Sequence, residues 1–330
     1  MKSRERKHVM VRSPYRISLG GGGTDLPFYA SKKGGFLITG AIDEYMTILV
    51  AKRNLDKKIF LQYSSTEMVE SIDEISHRML KEILRYFKIT DSFQIATFST
   101  MPSYTGLGAS STLVVGIVKA IRELFGTPIH PLKLAEEAFH IEREILGHAG
   151  GYQDQYISAL GGIQVLEISS DLKVRAESLD IDKKTLDKIQ RSLFIVHSGI
   201  ERDSGKMIEQ QEKEKEIDTL GIYDQIKEIG QSSVEYLKKG NVKDLGKAMD
   251  NHWKIKKQLT KNMSNNSIDK MYIELKSFGS PGGKIIGAGG GGFFLMVVDT
   301  NREKFIQNAT QNGYKFVDFE FEFQGAHTVQ

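Results

Sequence analysis

The sequence predicts an α+β protein of two domains, and three observations carry that prediction. The first hundred residues read mainly as strands, the region beyond about residue 200 reads mainly as helices, and the two patterns never alternate as they would around a parallel sheet. With 330 residues and 40% hydrophobic content, the chain can bury a substantial core and is more comfortable as two domains than as one.

Strands are expected over 9–19, 36–50, 58–63 and 92–98, the last with Phe93 and Ile95 alternating against polar neighbours. Between them, Ile72, Ile75, Met79, Leu80, Ile83, Leu84 and Phe87 keep helical spacing, so an amphipathic helix over 72–87 should pack on the sheet. Helices follow over 111–125 and 131–146, where Pro131 suits a first helical position and Gly147 ends the run. Strands over 161–168 and 192–197 flank the charged stretch 180–188, read as the boundary between domains 1–185 and 186–330. Helices are then expected over 204–217, 223–239, 242–261 and 268–278, followed by a strand over 293–298, a short helix and a final strand over 314–323.

Composition excludes several classes of function. Without cysteine there is neither a disulfide framework nor a thiolate metal site, so any metal must be held by oxygen or nitrogen. Lys and Arg number 45 against 42 Asp and Glu, and the charges are dispersed without the basic stripe that nucleic acid would favour. Lys2, Arg4, Arg6 and Lys7 run into Val9-Met10-Val11 without the apolar stretch of a signal peptide, and no later run is long enough to span a bilayer. The expectation is a cytoplasmic protein with no nucleic-acid or membrane partner; a homodimer is compatible with the sequence.

Three glycine clusters stand out: Gly20 to Gly23, Gly106 with Gly108, and Gly287 with Gly289 to Gly292. The middle one leads from a strand into an apolar helix, so the amides of Gly106, Leu107, Gly108, Ala109, Ser110 and Ser111 would face an anion at the positive end of the helix dipole. Either Ser110 or Ser111 could add a hydroxyl for phosphate or magnesium; the other reading is a tight turn with a serine cap. Gly279 to Lys284 lacks Walker spacing, and the glycines from Gly287 to Gly292 lead into a strand where a dinucleotide site requires a helix. That third cluster is a flexible turn, or a backbone surface packed against a ligand or another loop.

Glu142 interrupts an apolar helix face between Ala138, Phe139, Ile145 and Leu146, and such a carboxylate needs a cation or hydrogen-bond donors. It is either a structural ion-pair partner or a working group. Asp154 follows in Gly150-Gly151-Tyr152-Gln153-Asp154-Gln155, where it either caps the next helix or serves, with Glu142, as base and magnesium ligand. Arg16 precedes the first glycine cluster and Asp25 follows it; a guanidinium can absorb phosphoryl charge and a carboxylate can accept sugar hydroxyls.

In this order the motifs resemble the GHMP kinases, the family of galactokinase, homoserine kinase, mevalonate kinase and phosphomevalonate kinase. Ser13-Pro14-Tyr15-Arg16-Ile17-Ser18-Leu19 through Asp25 looks like the first family motif, Pro102 to Thr112 like the Pro-x-x-x-Gly-Leu-Gly-Ser-Ser-Ala loop, and Ile286 to Phe294 like the third. The loop departs from that pattern at Ala109 and Thr112, both small substitutions. The resemblance implies an N-terminal ribosomal-protein-S5-like α/β domain, a C-terminal ferredoxin-like domain and an active site between them. It implies ATP held by Pro102, Gly106, Leu107, Gly108, Ala109, Ser110 and Ser111, Mg2+ on Ser110 or Ser111 and Glu142, Asp154 as the base and Arg16 as charge stabiliser. It also implies sugar or sugar-phosphate contacts at Gly22, Gly23, Thr24, Asp25, Gly151, Arg202 and Gly290, with Lys206 beside Arg202. The spacing from Glu142 to Asp154 is one residue longer than in mevalonate kinase. Within the family, Arg16 to Pro27, with Gly20 to Gly23 before Thr24-Asp25, is similar to the bacterial D-glycero-D-manno-heptose 7-phosphate kinases, as is Ser198 to Ser204. That implies phosphorylation of an anomeric hydroxyl towards nucleotide-activated heptose for surface glycans. An L-fucose kinase-like enzyme and a catalytically inactive sensor on the same fold are the alternatives.

Overall fold

The computed structural model describes residues 6–102, 106–200, 204–213 and 218–329. The chain opens with a long antiparallel pair, β1 (His8–Gly20) and β2 (Gly35–Lys52), joined through the short helix α1 (Pro27–Lys33). A hairpin of β3 (Ile59–Gln62) and β4 (Thr66–Val69) follows, and α2 (Arg78–Tyr86) crosses to β5 (Phe93–Ser99), which runs parallel to β3. Next come α3 (Ala109–Leu124), α4 (Pro131–Phe139) with a π-helical turn at its end (His140–Ile145), α5 (Gln153–Leu160), β6 (Ile163–Ile168) and β7 (Val174–Ser178). After α6 (Lys183–Ser192) and β8 (Leu193–His197), the helices α7 (Ser204–Lys213), α8 (Thr219–Lys238), α9 (Val242–Lys256) and α10 (Asn266–Ser277) lead to β9 (Gly282–Ile285) and β10 (Phe293–Val297). The chain finishes with α11 (Arg302–Gln311), β11 (Phe316–Val317) and β12 (His327–Val329).

Among the described residues the first sheet runs β12-β1-β2-β5-β3-β4, with β6 on the other half of β2 and β7 beyond it. The second sheet, β11-β8-β10-β9, is antiparallel throughout. Counting its own strands in chain order gives β-α-β-β-α-β with spatial order 4-1-3-2, the ferredoxin-like arrangement expected. One apolar core lies between the first sheet and α2 to α5, and a second lies between the second sheet and α10 and α11. A third joins Tyr15, Ile17 and Leu19 of β1 to Ile195, Leu295 and Met249, so the two sheets share a core.

A register shift between Pro14 and Tyr15 reorganises β1 just before the site. Val9 and Val11 lie in the helix-side core, whereas Tyr15, Ile17 and Leu19 lie in the core between the sheets. Side chains alternate strictly along a regular strand, so the shift exchanges the two faces and leaves Arg16 and Ser18 on the side of the glycine loop.

Several expectations need correction. Within the charged stretch 180–188 a helix not foreseen, α6, begins, capped by Asp182, whose carboxylate accepts from the Thr185 N–H. Its high charge concealed a helix that buries little more than Ile189 and Ser192. Residues 314–323 are not one strand. Phe316–Val317 pairs with β8, Phe321 bridges to Ile42, and β12 returns to the first sheet beside β1. A division near residue 185, which falls inside α6, stands as a proposal about the two lobes. The helix expected over 72–87 is a 3-10 turn followed by α2, and α1, β4, β7 and β9 were not foreseen.

Candidate active site

The glycine loop delivers what its local sequence requires. Gly106 and Gly108 both sit at φ +85°, a left-handed conformation costly for other residues, and Gly108 is the residue that begins α3. Gly108 at the N-cap has no side chain, and among the described residues no side chain caps this helix, so Ser110 and Ser111 do not cap it and its first amides can face a ligand. Ser103, Tyr104 and Thr105 lie outside the described residues. Pro102 precedes them, and Leu107 turns its side chain into the shared core while its carbonyl accepts from the Arg16 N–H at 3.4 Å. Ala109 packs at the edge of that core, Ser110 is exposed and Ser111 is buried.

Arg16, only 4% exposed, ties this loop to Asp154. Its Nη1 donates to the Gly106 carbonyl and its Nε to Asp154 Oδ1, both at 2.6 Å. Asp154 is the second residue of α5; the helix is capped by Tyr152 without a side-chain bond, so Asp154 is not the cap. Its Oδ2 faces Gly108: a Cβ built there would lie 3.2 Å from that oxygen. Burial pushes the Asp154 carboxyl up, but the Arg16 charge and hydrogen bond, with the Arg143 charge, outweigh burial and hold it below the usual carboxylate range. Arg16→Met is therefore expected to move the acid limb of the turnover profile to higher pH. In the base role that the resemblance implies, Asp154 must be deprotonated to accept a proton, and its pKa rises when the cation leaves; an unmoved limb in the pH–kcat profile would refute the coupling.

Glu142 occupies the π-helical turn that ends α4. Such a turn inserts one extra residue into a helix. At 1% exposure its Oε1 accepts from Ser110 Oγ at 2.6 Å and its Oε2 from Gln155 Nε2 at 2.7 Å. The Arg143 guanidinium stands 3.6 Å away and also reaches Ser111 Oγ at 3.4 Å, so both readings of Glu142, ion pair and working group, meet in one place. Ser110 Oγ and Glu142 Oε1 form an adjacent pair of hard oxygens beside the anion-receiving amides. That suits Mg2+, which takes one or two protein ligands and completes its shell with phosphate and water. Among the described residues no group of three or more acidic or histidine side chains offers an all-protein metal cage.

Asp25 closes the opposite side. Its Oδ1 accepts from the Gly23 N–H at 3.1 Å and its Oδ2 from the Gln153 N–H at 3.0 Å. Burial raises its pKa; the hydrogen bond from Gln153 opposes this, and the nearby Asp154 charge adds to it. Gly151 is obligatory here, because a Cβ would fall 2.0 Å from Asp25 Oδ2 and 2.9 Å from the Asp25 carbonyl. Under the role for Asp25 that the resemblance to the GHMP kinases implies, Gly151→Ala is expected to displace this carboxylate and raise the sugar KM at least tenfold while ATP affinity holds, a split readable by steady-state kinetics and nucleotide titration. Gly22 and Gly23 lie beside Ser18 and the Tyr223 ring respectively.

Other expected contacts are not delivered in the form foreseen. Thr24 is wholly buried, and its hydroxyl bonds to the Gly21 and Phe36 carbonyls and the Phe36 N–H, so it shapes the loop and cannot reach a substrate with its side chain. Gly290 donates its N–H to the Met263 carbonyl, and Gly289 and Gly291 pack so tightly on Met263 and Ile200 that a Cβ would overlap them. The third glycine cluster thus packs against protein. Arg202 lies outside the described residues, and Lys206 is exposed on α7.

Three groups were missed. Gln153 and Gln155 flank Asp154 and bond to Asp154 and Glu142; the signal was two amides in a buried helix. Arg143 follows Glu142 directly. Lys284, 2% exposed at the centre of an apolar strand, reaches Ser18 Oγ at 3.3 Å across the two sheets. Burial, then the charges of Lys256 and Arg16, hold its pKa well below the usual lysine value. A lysine inside the run Gly283-Lys284-Ile285-Ile286 was the available signal.

Family models of the GHMP kinases N terminal domain and the GHMP kinases C terminal match residues 74–162 and 233–315. D-glycero-alpha-D-manno-heptose 7-phosphate kinase of Campylobacter jejuni is 31% identical over 97% of this chain and 98% of its own. The chain belongs to the GHMP kinase family. It has the family's two-domain α+β fold and is a phosphotransferase with an alcohol group as acceptor. L-fucokinase/L-fucose-1-P guanylyltransferase of Bacteroides fragilis is 22% identical over 96% of this chain and 38% of its own length. The crystal structure of a D-glycero-D-manno-heptose 1-phosphate kinase from Bacteroides thetaiotaomicron superposes with a TM-score of 0.81, covering 98% of this GHMP kinase and 99% of that chain at 24% identity. No helix among the described residues is long and apolar enough to cross a membrane.

Proposed function

We propose that this kinase uses ATP and Mg2+ to phosphorylate the anomeric hydroxyl of D-glycero-D-manno-heptose 7-phosphate in the cytoplasm, for nucleotide-activated heptose and surface glycans. The observation that carries the reading is Arg16, which bonds at once to the Gly106 carbonyl of the phosphate loop and to Asp154. It brings a base, a cation and the uncapped start of α3 to one point, which is what in-line transfer to a hydroxyl needs. The full-length similarity to the Campylobacter heptose 7-phosphate kinase supports the sugar.

In this mechanism Asp25 and the glycines around it hold the sugar, Asp154 Oδ2 takes the proton of the reacting hydroxyl, and Arg16 and the first amides of α3 absorb the charge of the transferring phosphoryl group. Ser110 and Glu142 would hold Mg2+, which when bound neutralises phosphate charge. Arg202 remains the proposed contact for the sugar's own phosphate.

An ADP-release assay across heptose 7-phosphate, L-fucose and galactose, with and without chelator, tests the proposal. Preference for heptose 7-phosphate that vanishes with chelator is expected; preference for L-fucose would move the enzyme to the fucokinase branch, and silence on every sugar would sink the reading.

A further inference from the structure

Gln153 stands between the two carboxylates of the site. Its backbone N–H donates to Asp25 Oδ2 at 3.0 Å, and its side-chain Nε2 donates to Asp154 Oδ1 at 3.3 Å. An ionised carboxylate only accepts hydrogen bonds, so the amide nitrogen must face Asp154 and the amide oxygen must face away. That oxygen, on a residue 7% exposed, is buried and has no hydrogen-bond partner. A buried acceptor left unmade is unfavourable, and such groups are rare unless a ligand or water completes them.

The oxygen borders the backbone of Gly22. A Cβ built on Gly22 would lie 2.4 Å from Ser18 Oγ and 3.8 Å from Gln153 Oε1, so both atoms lie close against this glycine, which leaves no room for a side chain there. Lys284 Nζ donates to Ser18 Oγ at 3.3 Å. The Ser18 hydroxyl is therefore the acceptor in that bond and keeps its own proton to donate. One donor and one unpaired acceptor thus lie against the same glycine, next to Asp25 and Asp154. A hydroxyl both donates and accepts, and this pair complements it.

We propose that Gln153 Oε1 accepts a hydrogen bond from a second hydroxyl of the sugar, distinct from the one phosphorylated, with Ser18 donating to the same oxygen. Gln153 is then the residue that discriminates between sugars by the position of that hydroxyl. The inference rests on the sugar-kinase reading above and extends it to a named specificity contact. A site built to bond a hydroxyl rejects an analogue that lacks it, because the buried acceptor returns to being unpaired.

The test pairs the Gln153→Met enzyme with mono-deoxy analogues of the sugar phosphate. Wild type is expected to lose roughly 5- to 100-fold in kcat/KM on one analogue, the range for a single hydrogen bond whose loss strands its partner. Gln153→Met should lose a similar factor on the parent sugar and nothing further on that analogue, because the interaction is already absent. ATP affinity, measured by titration, should be unchanged. Gln153→Glu keeps an acceptor of the same length, so it should retain discrimination against that analogue at a reduced rate; this variant carries the test if the methionine enzyme does not fold. Losses that multiply for every analogue, or discrimination lost in Gln153→Glu, overturn the role of Gln153 alone. A wild type inactive on every sugar phosphate overturns it together with the function on which it rests.

Discussion

Asp154→Asn is expected to fold and bind ATP with near-normal affinity while losing about 100- to 10,000-fold in turnover, the usual range for a positioned general base. Asparagine keeps an oxygen for the Arg16 Nε–H that now bonds Oδ1 at 2.6 Å, so the loop stays tied to α5. What disappears is the charge and the capacity to accept a proton. Asp154→Ala is the poorer experiment: it would leave the Arg16 guanidinium buried without its partner, and breaking a buried pair costs about 3–5 kcal/mol. The asparagine enzyme separates chemistry from folding. Single-turnover rates and nucleotide titration together decide the matter, and near-normal turnover would remove Asp154 from the base role.

Glu142→Gln is expected to weaken the apparent affinity for Mg2+ by on the order of 100-fold or more, since changes merely behind a metal ligand cost about 10- to 100-fold. In the substituted side chain the amide oxygen can keep the Gln155 Nε2–H and the amide nitrogen can donate to Ser110 Oγ, so what is lost is the negative charge facing the Arg143 guanidinium 3.6 Å away, and stability should fall by about 1–3 kcal/mol. The two readings of this carboxylate part here. If Glu142 served only as the partner of Arg143, melting temperature would fall with no change in Mn2+ binding. Mn2+ titration by paramagnetic resonance in the presence of ATP, set beside thermal unfolding, distinguishes them without relying on turnover.

Much of this site was legible because its signals are local. A glycine that must adopt positive φ, followed directly by an apolar helix, specifies an amide-lined turn regardless of what surrounds it, and Gly106, Gly108 and Ala109 form that turn. Glu142 was legible as a buried carboxylate because it breaks a helical stripe, and the structure buries it. Its partners were not legible: Ser110 lies 32 residues earlier and Gln155 13 later, and nothing in a stripe says which polar group meets it. Thr24 shows the opposite failure. Lying within a motif implied contact with a substrate, while the hydroxyl is consumed in closing its own loop.

The amino-acid order alone determined the class of fold, the strand-rich first half and helix-rich second half, and the identity of the loop, arginine and two acids around which the site is built. The fold class, the loop and the buried Glu142 follow from periodicity and from backbone preferences that act over a few residues, whereas Arg16 and Asp154 were singled out by their place in motifs that resemble those of the GHMP kinases. Only the tertiary structure decided that a register shift in β1 turns Arg16 towards the loop, that the end of the chain returns to the first sheet, and that Lys284 reaches Ser18 from 266 residues away. Contacts at that separation depend on how whole layers pack and which buried polar groups they can satisfy together, and no short window of sequence contains that information.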